Sequence, residues 1–176
     1  MRINSDAPFK TQPGGPAPLA LSLERKIRFG ECDPMGVVWH GTYAVYAEEA
    51  REALAEACGF PYSVLEKMGV AFPVKALFFD YRAPLSFGER CSVDIAMHWT
   101  EAARLNLEYL IAGPDGGIRT RGFSIQLMTD FSGSLLLDWP PFYRQFARRW
   151  QSGELAALQR PLPGVPMAAS PPAAGL

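Results

Sequence analysis

Alanine is what most restricts how this chain can fold. Between Tyr43 and Cys58, apolar or small residues stand at Tyr43, Tyr46, Ala47, Ala50, Ala53, Leu54, Ala57 and Cys58. They follow the three-then-four spacing of a single helical face, and Glu48, Glu49, Glu52 and Glu56 fall largely off it. A stripe this rich in alanine lets a second surface come close to the helix backbone, as a sheet curled around it would. The spacing predicts a helix from about Thr42 to Cys58, with Gly59 placed to end it.

The stretch that leads into this helix, F-G-E-C-D-P-M-G-V-V-W-H-G-T-Y, carries an acid, Asp33, in the turn. Gly36 and Gly41 give the backbone freedom near the helix start. A helix start presents unpaired N–H groups and the positive end of the helix dipole. A carboxylate beside such a start can attack or hydrolyse a carbonyl whose oxygen the amides hold.

Before this turn, Leu21 to Phe29 alternates and reads as a strand. After the helix, Tyr62 to Met68 suits a short second helix that stops at Gly69. Ala71 to Arg82 is apolar on both faces, as a central strand covered on two sides would be. Arg90 to Thr100, Arg104 to Ile111 and Ile118 to Asp130 alternate, and Leu135 to Leu137 is a last short strand candidate. Turns of this length between strands make an antiparallel, meander-like sheet. One long helix before such a sheet gives an α+β domain. Asp138-Trp139-Pro140-Pro141 reads as the start of a final helix, with Phe142, Phe146, Ala147 and Trp150 on one face. Pro- and Gly-rich or Pro- and Ala-rich composition predicts disorder for residues 1–20 and 153–176, leaving one folded domain over 21–152.

At 176 residues, with 48% hydrophobic residues and a net charge of −1, the chain can bury a core and has no electrostatic reason to seek nucleic acid. Its apolar runs fall short of the ~20 residues a membrane helix needs, and no apolar segment of signal-peptide type opens the chain. The three cysteines, Cys32, Cys58 and Cys91, are odd in number and lack paired spacing, which favours reduced thiols in the cytoplasm.

The run from Ile27 to Tyr43 resembles the signature of the 4-hydroxybenzoyl-CoA thioesterase branch of the hotdog-fold thioesterases, and a looser likeness continues through F-P-V-K-A-L-F-F-D-Y-R-A-P (Phe72 to Pro84) to about Asp138. The resemblance implies a hotdog fold, one long central helix wrapped by an antiparallel sheet of about five to six strands. It implies hydrolysis of an acyl-CoA or aroyl-CoA thioester to free acid and CoA. Asp33 would be the nucleophile or general base, and the amides around His40 and Gly41 would hold the carbonyl oxygen. Gly36, Val37, Trp39, Gly41 and Tyr43 would shape the turn and meet substrate, while Phe72, Pro73 and Val74 would line the acyl pocket. No cofactor is implied, coenzyme A being part of the substrate. A homodimer with a continuous sheet and sites at the subunit interface is implied, often assembled into a tetramer. An acyl-carrier-protein thioester is a variant of the same chemistry.

Other readings of the same residues stand beside this one. Asp33 also suits a plain turn acid, and the imidazole of His40 a partly buried turn residue. Neighbours at a strand end point to opposite sides, which sets Cys32 apart from Asp33 as a nucleophile. Glu48 and Glu49 suit surface or subunit-contact positions, although some hotdog thioesterases use a helix glutamate. For the CoA phosphates, Lys75, Arg82, Arg90, Arg104, Arg119 and Arg121 are all candidates. Asp33 and His40 have no second ligand pair for a metal, since His98 is the one other histidine. The Asp-x-Asn-x-x-His pattern of hotdog dehydratases is absent, Met35 standing two after Asp33. A non-catalytic hotdog domain that binds acyl-CoA or a protein partner is the remaining alternative.

Overall fold

The structure is a computed structural model, and it describes Phe9, Gln12, residues 14–160 and Leu162. Strand β1 (Leu19–Lys26) is followed by a single 3₁₀ turn at Phe29–Glu31, helix α1 (Thr42–Cys58) and helix α2 (Tyr62–Met68). Strands β2 (Val74–Tyr81), β3 (Arg90–His98), β4 (Arg104–Ala112) and β5 (Ile118–Leu127) precede helix α3 (Pro141–Gln151). The five strands form one antiparallel sheet in the order β1-β3-β4-β5-β2. This is the α+β, hotdog arrangement that the resemblance implies.

Helix α1 buries Tyr43, Tyr46, Ala47, Ala50, Leu54, Ala55 and Cys58. These join Val93, Ile95, Leu105, Leu107 and Tyr109 of the sheet in one core. The alanines let the helix backbone sit close over β1 and β3. Both early helices end on glycines in the left-handed region, Gly59 at φ 88° and Gly69 at φ 69°, where a side chain would be strained. Burial holds the Cys58 thiol up to about 12 and that of Cys91 up to about 11, so both stay protonated in the core.

Four expectations change. Ala71 to Arg82 is not a central strand: β2 is the sheet edge beside β5, and its side chains are half-buried or exposed. Its apolar character on both faces tells that it is sticky, not that this chain covers it. The first strand stops at Lys26, because residues 29–31 close a tight turn in which the Glu31 carboxylate accepts the Arg28 amide at 2.7 Å. Leu135–Leu137 makes no strand; Leu135 forms an isolated bridge with Thr129, and Leu137 is 90% exposed.

The fourth concerns the ends. Most of 1–20 and 153–176 lies outside the described residues, but the described parts are ordered by contacts. The Trp150 indole donates to the Ala17 carbonyl at 2.8 Å, and β1 begins at Leu19. A 3₁₀ turn spans Ala156–Leu158, Leu155 is buried, and Leu162 packs with Ala20 and Ala96 on the sheet face away from α1.

Candidate active site

The loop between β1 and α1 is pinned as a small hairpin. Cys32 pairs with Val38, and Val37 pairs with Ser86. Within it the Asp33 amide donates to the Val37 carbonyl and the Gly36 amide to the Asp33 carbonyl, both at 2.9 Å. Gly36 turns the chain at φ 78°, a conformation that disfavours any side chain. Asp33 is partly exposed, and its Oδ1 accepts the Met35 amide at 2.8 Å. Its other carboxylate oxygen accepts no hydrogen bond among the described residues. The acid is thus fixed by its own turn with one oxygen uncommitted.

The helix start faces the same loop. The Trp39 amide donates to the Glu31 carbonyl and the Thr42 amide to the Trp39 carbonyl, each at 2.9 Å. Gly41 caps α1 without any side-chain bond to the first turn. The amides of His40 and Gly41 donate no hydrogen bond among the described residues. Two unused donors thus stand at the positive end of a seventeen-residue helix, where backbone N–H groups favour negative charge. A Cβ at Gly41 would lie 2.0 Å from the Trp39 indole, so a side chain there would have to displace that ring. Trp39 is 52% exposed, and its ring lies 4.9 Å from that of His40. The His40 imidazole is exposed and makes no hydrogen bond among the described residues.

Tyr81, from the edge strand, is a member that the sequence does not reveal. Its hydroxyl donates to the His40 carbonyl at 3.0 Å, and its ring meets Tyr43 edge-on at 5.1 Å. Tyr43 itself is buried, with its hydroxyl beside Thr120 and the Leu85 backbone, so it supports the turn from below. The two residues stand 38 positions apart in the chain, and no local pattern links them.

The remaining candidates scatter. Phe72 is buried and lines a cavity with room for about one water molecule, together with Arg51, Leu54, Ala55 and Tyr62. Leu54 lies about 18 Å along the helix axis from Thr42, so within one chain Phe72 is not brought to Asp33. Pro73 is exposed and Val74 is 50% exposed on the sheet edge. Glu48 pairs with Arg51 and Glu49 with Arg25. Arg82 and Arg119 pair with Asp80 at 2.9 Å and Asp115 at 2.8 Å. Lys75 and Arg90 are exposed, and Arg104 is half-buried with an unpartnered buried Nε. The Cys32 Sγ donates to the Arg28 carbonyl at 3.7 Å, and partial burial, with Glu31 and Asp33 adding, pushes its thiol up from the usual range. His98 pairs with Glu108 at 2.8 Å on the sheet face away from α1. No group of three or more metal-ligating side chains occurs among the described residues, and no described helix is long and apolar enough to cross a membrane.

Comparison with known proteins places this loop in context. The thioesterase-like superfamily profile matches residues 27–147. A Bacillus subtilis (strain 168) protein, YneP, provisionally named an acyl-CoA thioesterase, is 34% identical over 107 residues, covering 61% of this chain and 78% of its own length. A hypothetical protein, TT1821, from Thermus thermophilus has a crystal structure 33% identical, with TM-score 0.65 over 74% of this chain and 97% of its own. A DHNA-CoA thioesterase from Staphylococcus aureus shares the fold with TM-score 0.69 at 24% identity, covering 78% of this chain and 95% of its own.

Proposed function

The chain belongs to the thioesterase-like superfamily, and on that premise we propose that it hydrolyses an acyl-CoA or aroyl-CoA thioester to the free acid and CoA. The observation that carries this reading is the pairing of one loop's two features: Asp33, with an uncommitted carboxylate oxygen, and the unpaired amides of His40 and Gly41.

In this reading the two amides hold the thioester carbonyl oxygen. Each such donor contributes about 3–4 kcal/mol once negative charge develops on that oxygen. Asp33 then takes one of two routes. As nucleophile it attacks the carbonyl carbon, the C–S bond breaks, CoA leaves as thiolate, and water hydrolyses the resulting mixed anhydride. As general base it takes a proton from a water that attacks the same carbon, and the thiolate leaves in the same way. Thiolate is a good leaving group, so neither route needs a strong general acid, which suits an exposed His40 imidazole that makes no hydrogen bond among the described residues. The net reaction consumes one water and releases one acid and one thiol, and the group that departs is coenzyme A itself.

The working unit in this reading is at least a homodimer. The support is the unpaired edge strand, where Val74, Leu77 and Tyr81 are about half exposed, and the exposed Phe29, Met35 and Phe87 around the loop. A second chain along β2 would supply the pocket wall that Phe72 to Val74 do not bring to Asp33 within one chain. Light scattering on the eluting peak is expected to give at least twice the 19.4 kDa of the chain. An active monomer would contradict the interface site.

The test of the reaction is thiol release from a panel of acyl-CoA and aroyl-CoA esters, comparing wild type with Asp33→Asn. The substitution keeps shape and removes the nucleophile or base, so turnover is expected to fall about 10³-fold or more. Unchanged turnover in the variant would shift the role to Glu48 or Glu49. No turnover on any CoA ester would move the proposal to acyl-carrier-protein thioesters, and failure there to a binding module.

A further inference from the structure

Glu31 stands two residues before Asp33 and holds the loop at both ends. Its carbonyl oxygen accepts the Trp39 amide at 2.9 Å and the Thr42 hydroxyl at 3.4 Å. Its carboxylate is fully engaged: Oε1 accepts Arg25 Nη2 at 2.6 Å, while Oε2 accepts the Arg28 amide at 2.7 Å and the Tyr46 hydroxyl at 3.1 Å. The Arg25 guanidinium lies 3.7 Å from the centre of the Tyr46 ring and also pairs with Glu49. The side chains of Arg25 and Glu31 are only 13% and 17% exposed, and Tyr46 is fully buried. Strand β1, the 3₁₀ turn and helix α1 therefore meet in a single clasp.

Such a cluster is a poor source of stability. Removing two charges from water offsets most of their attraction, and apolar replacements of similar volume often serve as well. The Arg25 Nε, buried without an acceptor, adds to that cost. What the clasp does enforce is one geometry, because charge-assisted hydrogen bonds are short and directional. The elements it joins are those whose relative placement fixes Asp33 against the His40 and Gly41 amides. We propose that Glu31, gripped by Arg25 and Tyr46, is the positioning residue of this site. It sets the carboxylate against the helix-start donors without touching substrate itself. The kinetic half of its test rests on the thioester-hydrolysis reading; the exchange half does not.

The experiment uses the full chain with Glu31→Ala, Glu31→Gln, Tyr46→Phe and, alongside, Asp33→Asn. A displacement of about 1 Å in a site of this kind costs ~10²-fold, so Glu31→Ala is expected to lose about that factor in kcat while KM shifts less than about threefold. Glu31→Gln retains an acceptor oxygen and is expected to recover part of the loss. Tyr46→Phe keeps the ring under Arg25, removes one bond and is expected to fold and lose severalfold. Hydrogen exchange at the bonded amides of this loop, those of Asp33, Met35, Gly36, Val38 and Trp39, is expected to quicken in Glu31→Ala while β3 to β5 stay protected. Wild-type kcat with unchanged exchange in Glu31→Ala overturns the proposal. So does a rate loss that only follows faster exchange throughout the molecule, since that is a stability effect. Should Asp33→Asn keep full turnover, the catalytic reading fails, and the exchange at these loop amides alone decides whether Glu31 positions the loop.

Discussion

The two ends of α1 are built from different chemistry. At its start the chain is partly exposed and bent through a left-handed glycine, Gly36, with two amides that donate no hydrogen bond among the described residues. At its finish an aromatic cluster closes around Phe60, whose ring lies 4.9 Å from Phe146, while Trp150 packs edge-on against Trp99 at 5.2 Å. The second region buries Phe60, Tyr143, Phe146 and Trp150. The first keeps donors and a carboxylate oxygen unspent, which costs stability and is what a site for an anionic reaction centre needs. Helix α1 is thus closed by aromatic packing at its finish and leaves backbone donors open at its start.

Trp150→Ala tests the division most severely. The indole is fully buried, and its N–H satisfies the Ala17 carbonyl at 2.8 Å. Truncating a buried aromatic of this size is expected to cost about 3–5 kcal/mol, much of the ~5–15 kcal/mol that holds a domain together. Denaturant unfolding measures that cost. In cool conditions where the variant remains folded, turnover per folded molecule is expected to stay near wild type. A parallel collapse of kcat in folded protein would mean that the aromatic end sets the loop geometry, and the two regions would have to be treated as one.

The sequence makes these two ends legible to different degrees. The bounds of α1 and α2 follow from the chain itself, because an apolar stripe runs into Gly59 and Gly69, and both glycines adopt the left-handed cap. Strands β3 to β5 are readable from alternation and turns. The place of β2 is not: alternation tells which faces are apolar but not which neighbours arrive, and β2 lies at an edge. Asp33 is visible because a local motif surrounds it. Its supports are hidden because they come from afar: the Tyr46 hydroxyl reaches back 15 residues to Glu31 and the Tyr81 hydroxyl 41 residues to His40. Local periodicity cannot encode such pairs, and Arg25, Glu31 and Tyr81 each look like an ordinary strand or turn residue until the chain is folded.

Tyr81→Phe is the mildest test and the sharpest for the loop. The His40 carbonyl and the Gly41 amide belong to one planar peptide unit. By donating to that carbonyl at 3.0 Å, the Tyr81 hydroxyl fixes the rotation of the peptide whose N–H faces the other way, and it polarises that N–H. The hydroxyl is one atom among a half-exposed group, and water can replace it at an exposed residue, so stability is expected to change by less than about 1 kcal/mol. Turnover is expected to fall about three- to tenfold with little change in KM, because the bond matters most when charge has built up on the substrate oxygen. Comparing kcat and the unfolding midpoint of Tyr81→Phe with those of wild type checks this. Equal losses in both would make Tyr81 a packing residue of the β2 edge. A loss confined to kcat would tie the edge strand to the oxyanion donors, and would set the start of α1 apart as the end tuned for chemistry.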